Sequence, residues 1–172
     1  MKTTFRTLFL FAAVSAIVFT ACQKVGPAGP QGPSGQNAPV YYSEWFSPAA
    51  WSGGSGEWFF AASAPDLTQD IVESGVVLAY VWLAGDIYGA TTVRPLPAYA
   101  VGANWDFLIH QYGSIEFETD MFAPPVTAHK FRFIAIPGTI PALKSGSPGY
   151  RSKEELKSMS YKEVCKLYNI PE

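Results

Sequence analysis

Side chains able to move a proton, attack a carbonyl or hold a metal are few in this sequence, and His110 has the best company. Asp106, His110 and Glu116 fall on the polar positions of a segment that alternates apolar and polar residues, with Glu118 on the same face and Ser114 across from the histidine. An imidazole between carboxylates can act as a general base or metal ligand. A solvated sheet face carrying one hydrogen-bonded histidine satisfies the same spacing, and that is the reading we adopt. His129, at the start of a later strand, has less around it. The sequence contains no Gly-x-Ser-x-Gly elbow, His-Glu-x-x-His pair, phosphate-binding glycine loop or Cys-x-x-Cys. We therefore assign no catalytic residue, metal or cofactor. A glycosidase needs only two carboxylates brought together by the fold, so a carbohydrate-active enzyme is kept as the alternative.

Tryptophan offers a different chemistry. Trp45, Trp51 and Trp58 flank the run Ser52-Gly53-Gly54-Ser55-Gly56, and flat indole rings can stack on sugars or anchor a protein interface. Core packing explains the same residues. Trp51, nearest the glycines, is the one expected at the surface.

The two cysteines are read together. Lys2 and Arg6 precede an uncharged apolar run from Leu8 to Ala21, the pattern of an export signal. The run is shorter than the roughly 20 residues a membrane-spanning helix needs. Phe19-Thr20-Ala21-Cys22 resembles the bacterial lipobox, which implies cleavage before Cys22 and acylation of its sulfur. Cys165 is then left without a partner in its own chain. It lies on a helical stripe with Tyr161, Val164 and Tyr168, where burial is the expectation and an intermolecular disulfide the alternative.

Glycine recurs in register at Gly26, Gly29, Gly32 and Gly35, with proline after the first three. That is the collagen period, since only glycine fits the axis of three polyproline II strands. Twelve residues in that conformation span about 37 Å as a single strand. We read the tract as a spacer, with a homotrimer as the competing reading.

Charge excludes one class of partner. Residues 38–143 carry ten acidic side chains against Arg94, Lys130 and Arg132, a balance opposed to nucleic-acid binding, which needs clustered cations. The segment from Lys144 onward is mildly basic.

These side chains need a scaffold, and the periodicities specify mostly strands. Val40–Phe46 and Glu57–Ala62 are predicted strands around the glycine-rich loop, and Thr68 opens a short helical turn that Gly75 stops. Val76–Leu83 is apolar without alternation, as in a central strand covered on both faces. Val93–Tyr99 is a single edge strand, demoted by Pro95 and Pro97. From Trp105 to Glu118 a hairpin is expected, with a Gln111-Tyr112-Gly113 loop that pairs Ile109 with Ile115 and Phe107 with Phe117 and sets Gly113 left-handed. His129–Ile136 alternates Phe131, Phe133 and Ala135 against Lys130, Arg132 and Ile134. Two Ser-x-x-Glu capping boxes, Ser152–Glu155 and Ser160–Glu163, start two short helices. About seven strands with such turns make a mainly β head, an antiparallel sandwich or jelly roll.

The order of signal segment, lipobox, Gly-Pro-x triplets, aromatic β-rich head and the tail Glu163-Val-Cys-Lys-Leu-Tyr-Asn-Ile-Pro-Glu172 resembles a group of bacterial collagen-like lipoproteins. The resemblance also rests on Leu67–Leu78, and it implies an envelope location without an activity. The domain map is 1–21 signal peptide, 22–39 lipidated Cys22 and collagen-like linker, 40–143 sandwich head, and 144–172 a helical segment packed on the head. The expected function is non-enzymatic display for binding, adhesion or self-association. Partners are the membrane through the lipid anchor and a glycan or protein ligand.

Overall fold

A computed structural model describes residues 40–89, 92–138 and 151–172. Cys22 and the glycines Gly26, Gly29, Gly32 and Gly35 lie outside the described residues, as does 139–150. The head is mainly β, as expected. Among the described residues nine strands form two antiparallel sheets: β1 (Tyr41–Tyr42), β4 (Val76–Trp82), β5 (Val93–Pro95) and β9 (Lys130–Ile136) in one, ordered β1-β9-β4-β5. The other is ordered β2-β3-β8-β7-β6, from β2 (Ser52–Gly54), β3 (Glu57–Ser63), β6 (Ala98–Ala100), β7 (Ala103–Leu108) and β8 (Ser114–Thr119). Helix α1 (Gln69–Ser74) precedes β4, and α2 (Lys153–Ser158) and α3 (Tyr161–Tyr168) close the chain.

Two cores explain the apolar run of β4. Ala79 and Val81 face the other sheet, joining Phe60, Trp105, Ile115, Phe117, Phe131 and Phe133 in the sandwich interior. Val76, Leu78 and Tyr80 face the opposite way, under Leu156, Tyr161, Val164 and Cys165 of the terminal helices. The four-stranded sheet is thus buried on both faces, the condition under which strands lose their alternation. Ser160 and Glu163 form the complete capping box, whereas at Ser152 the side chain only accepts from the Glu155 amide.

Several expectations are corrected. Val93–Tyr99 is not one strand: β5 pairs with β4 and β6 with β7, so the segment crosses from one sheet to the other at Leu96-Pro97. Only Tyr41–Tyr42 of Val40–Phe46 is a strand, with Phe46 bridging Phe131. The glycine-rich loop shrinks to the turn Ser55-Gly56, because Ser52–Gly54 pairs with β3. In the hairpin the register holds, Phe107 opposite Phe117 and Gly113 left-handed (φ +82°), but pairing stops at Leu108, leaving Ile109 in the loop.

The strand directions define two ends. Tyr41 pairs with Ala135 and Val76 with Ile136, so the chain enters the head beside α1 and the 109–113 loop, where Tyr112 donates to Glu73 at 2.7 Å. At the other end Trp82 pairs with Lys130, and the segments 83–89 and 120–129 emerge. The Ala84 amide donates to His129 Nδ1 (3.1 Å), tying these loops together, and Gly56 N–H donates to the Met121 carbonyl (2.9 Å).

Candidate functional site

The residues singled out in the sequence separate into three places. Trp51 is a correction: its indole is half-buried inside the sandwich, with ring centroids 4.9 Å from Phe60 and 5.9 Å from Phe131. The cause is register. Ser52 pairs with Phe59, so the residue before it turns inward over Phe60. Trp58 is also half-buried, at the rim of the five-stranded sheet.

Asp106, Glu116 and Glu118 do share the open outer face of that sheet. Asp106 is opposite Glu118 across the β7–β8 ladder, and His110 Nε2 lies 3.1 Å from Glu116 Oε1. Partial burial, then the neighbouring Asp106 and Glu116 charges, push the Glu118 carboxyl above its ordinary value. Crowded like charges make this face a store of repulsion. Among the described residues no group of three His, Cys, Asp or Glu is arranged to hold a metal. His129, by contrast, is buried against Trp105 (4.9 Å), and burial lowers its pKa; its Nδ1 accepts from Ala84, so it is a structural tie.

Trp45 lies on the other side of the molecule. It packs edge-on to Tyr161 at 5.5 Å and lines a cavity of about 510 Å³ between the four-stranded sheet and α3, together with Trp82, Lys130, Tyr161, Lys162 and Glu172. Lys130 Nζ sits 5.5 Å from the centre of the Trp82 ring. Behind Trp45, the guanidinium of buried Arg132 lies among the rings of Tyr42, Trp45 and Tyr161. Its hydrogen bonds go to neutral acceptors: the Ser43 carbonyl at 2.8 Å, the Pro171 carbonyl at 2.7 Å and the Tyr161 hydroxyl.

The sequence reading missed the end of the head opposite the chain entry. Four of the five most exposed large apolar side chains among the described residues are there: Ile87 and Phe122 (88% each), Tyr88 (71%) and Val126 (55%). The loop that carries Ile87 and Tyr88 is braced. Arg94 donates to both carboxylate oxygens of Asp86 (2.6 and 2.9 Å), Asp86 accepts from the Tyr88 amide (3.0 Å), and Arg94 lies over the Tyr88 ring. These bonds hold the Asp86 carboxyl below its ordinary value, the Arg94 side chain contributing most. The neighbouring β6–β7 turn keeps a valine at φ +53°, in Val101-Gly102, where asparagine or glycine would be unstrained. The available signal was Ile87-Tyr88 and Phe122 lying inside turn-rich loops that are ordinarily polar.

Comparison of the chain with protein-family models, with curated proteins and with solved structures finds no match.

Proposed function

We propose that this chain is a non-enzymatic lipoprotein of the bacterial cell envelope, held at the outer membrane by an acylated Cys22. Its Gly/Pro tract is the spacer on which the sandwich is displayed. The observation that carries the binding part of this reading is polarity: the chain enters the head at one end, and the apolar loop tips Ile87, Tyr88, Phe122 and Val126 occupy the other. Scattered exposed apolar residues are ordinary, but four of them on two loops at one end, one loop braced by Asp86 and Arg94, suit a contact surface. The acidic body gives no support for a nucleic-acid partner.

Two measurements test the proposal. Alkyne-palmitate should label the wild type and not Cys22→Ala; an unlabelled wild type sinks the anchor. A photocrosslinking amino acid at position 122 in intact cells should give an adduct that the same probe at position 112, at the entry end, does not. Equal adducts, or none at 122, remove the binding end from the proposal. Sedimentation of the full chain reads the stalk: a monomer agrees with a spacer, and a trimer replaces it with the triple-helical reading.

A second reading, glycan binding by the head, is favoured by one observation, the aromatic cavity at Trp45 and Trp82. The carboxylates Asp106 and Glu116 lie on the far sheet and do not share that cavity.

A further inference from the structure

Sequence and structure together place the head's scarce positive charge unevenly. Of the three basic residues in 38–143, Arg94 is neutralised by Asp86. The other two, Lys130 and Arg132, are on β9 and point the same way, toward the outer face of the four-stranded sheet. Lys130 lines the 510 Å³ cavity, Arg132 stands directly behind its Trp45 and Tyr161 wall, and α3 brings Lys162 to the same rim. Among the described residues none of these three cations has a carboxylate within ion-pair distance, and the one acid in the lining is Glu172. Two exposed lysines and one buried guanidinium thus lie around the indoles of an otherwise acidic head.

From this we infer that the cavity between β4, β9 and α3 binds a sugar ring carrying an anionic group, with Lys130 and Lys162 holding the anion and Trp45 the ring face. The inference rests on the glycan reading and deepens it. Cavities of about 300–1,000 Å³ with aromatic walls and a few convergent polar groups are the size and make-up of small-ligand sites. The lining also decides between ligand chemistries. An inorganic anion would use the lysines but make no contact that calls for the Trp45 ring, and would be repelled by Glu172. A neutral sugar would make no use of the two ammonium groups. A saccharide with one acidic group meets both demands, since its hydroxyls can donate to the Glu172 carboxylate and its anion can accept from lysine. Lysine is a compact point charge that does not require a planar partner, so a planar carboxylate and a tetrahedral sulfate are both accommodated.

The test is calorimetric titration of the full-length chain in detergent with digalacturonate, galactose 6-sulfate and galactobiose. At least one anionic sugar should bind, more tightly than galactobiose by about tenfold, the effect of one lost charge-assisted hydrogen bond. Which of the two binds identifies the anion. Lys130→Gln/Lys162→Gln should abolish that preference while leaving the thermal transition in place, because both ammonium groups are at the surface. Glu116→Gln, on the opposite sheet, should change nothing. Equal binding of galactobiose overturns the anionic site and keeps the glycan reading. Absence of binding by all three sugars overturns both, and an anionic preference that survives the double lysine variant overturns the assignment of the site.

Discussion

The two outer faces of the sandwich have been solved in opposite ways. The four-stranded sheet is roofed by α2 and α3, and its outward residues Leu78, Tyr80 and Ile134 are as buried as those in the interior. Under that roof sits a guanidinium ringed by aromatic side chains. Among the described residues nothing roofs the five-stranded sheet: β8 alternates half-exposed Ser114, Glu116 and Glu118 with buried Ile115, Phe117 and Thr119, and carboxylates gather on the open side. One sheet therefore takes its stability from both faces and carries positive charge outward, and the other takes it from one face and carries negative charge. Covering a face permits a buried cation, because the covering segment supplies the Tyr161 hydroxyl from α3 and the Pro171 carbonyl just beyond it, and both accept from it. An open face tolerates repulsion because water screens it.

Arg132→Ala should strike the comparison hardest. It leaves acceptors on Ser43, Tyr161 and Pro171 without their donor and opens a void between sheet and roof, a loss of about 3–5 kcal/mol in urea unfolding. Arg132→Met keeps the volume and should recover part of that loss. A cost under about 1 kcal/mol for the alanine variant would mean that the roof does not depend on the cation. Next comes a matched pair of leucines. Leu156, fully buried in α2, should cost about 2–4 kcal/mol as alanine. Leu108, on the open face and 38% exposed, should stay within about 0.5 kcal/mol. Equal losses would show that the two faces are not differently covered.

Legibility in the sequence followed the same division. The alternation of the Trp105–Glu118 hairpin exposed its register and the Phe107–Phe117 pair, since a face open to water keeps polar residues at every second position. The unbroken run Val76–Leu83 announced a doubly covered strand, found as Val76–Trp82, and the Ser160–Glu163 box announced the helix that helps cover it. What covered it was not legible. Arg132 reads as a solvent-facing residue between Phe131 and Phe133, and only the return of a segment about thirty positions later makes it interior. Trp51 failed for a related reason: its proximity to glycines pointed outward, while the pairing of Ser52 with Phe59 turned it in. The cavity joins Trp45, Trp82, Lys130 and Lys162 from four separate segments, and no local spacing relates them.

The smallest effect tests the open face, and its sign is opposite to the others. Glu118 has its folded pKa raised, by partial burial and by Asp106 and Glu116. A carboxyl raised on folding is less willing to ionise in the native state than in the unfolded chain. Its contribution is fully favourable below the unfolded pKa and is lost as pH climbs through the folded one. At neutral pH the ionised group is therefore a liability, and Glu118→Gln removes it without changing shape. We expect this variant to gain about 0.5 kcal/mol at pH 7, the scale of one cross-strand like-charge pair, with the gain shrinking toward zero as the buffer is taken below pH 4, where the wild-type carboxyl is itself neutral. Added salt should shrink the gain as well, because the charges are exposed enough to be screened. Thermal unfolding of both proteins across that range reads the result. A gain that is equal at both pH values would assign the effect to burial of the side chain alone. A loss at pH 7 would show that the Glu118 carboxylate accepts a stabilising partner, and the open face would then be a built site.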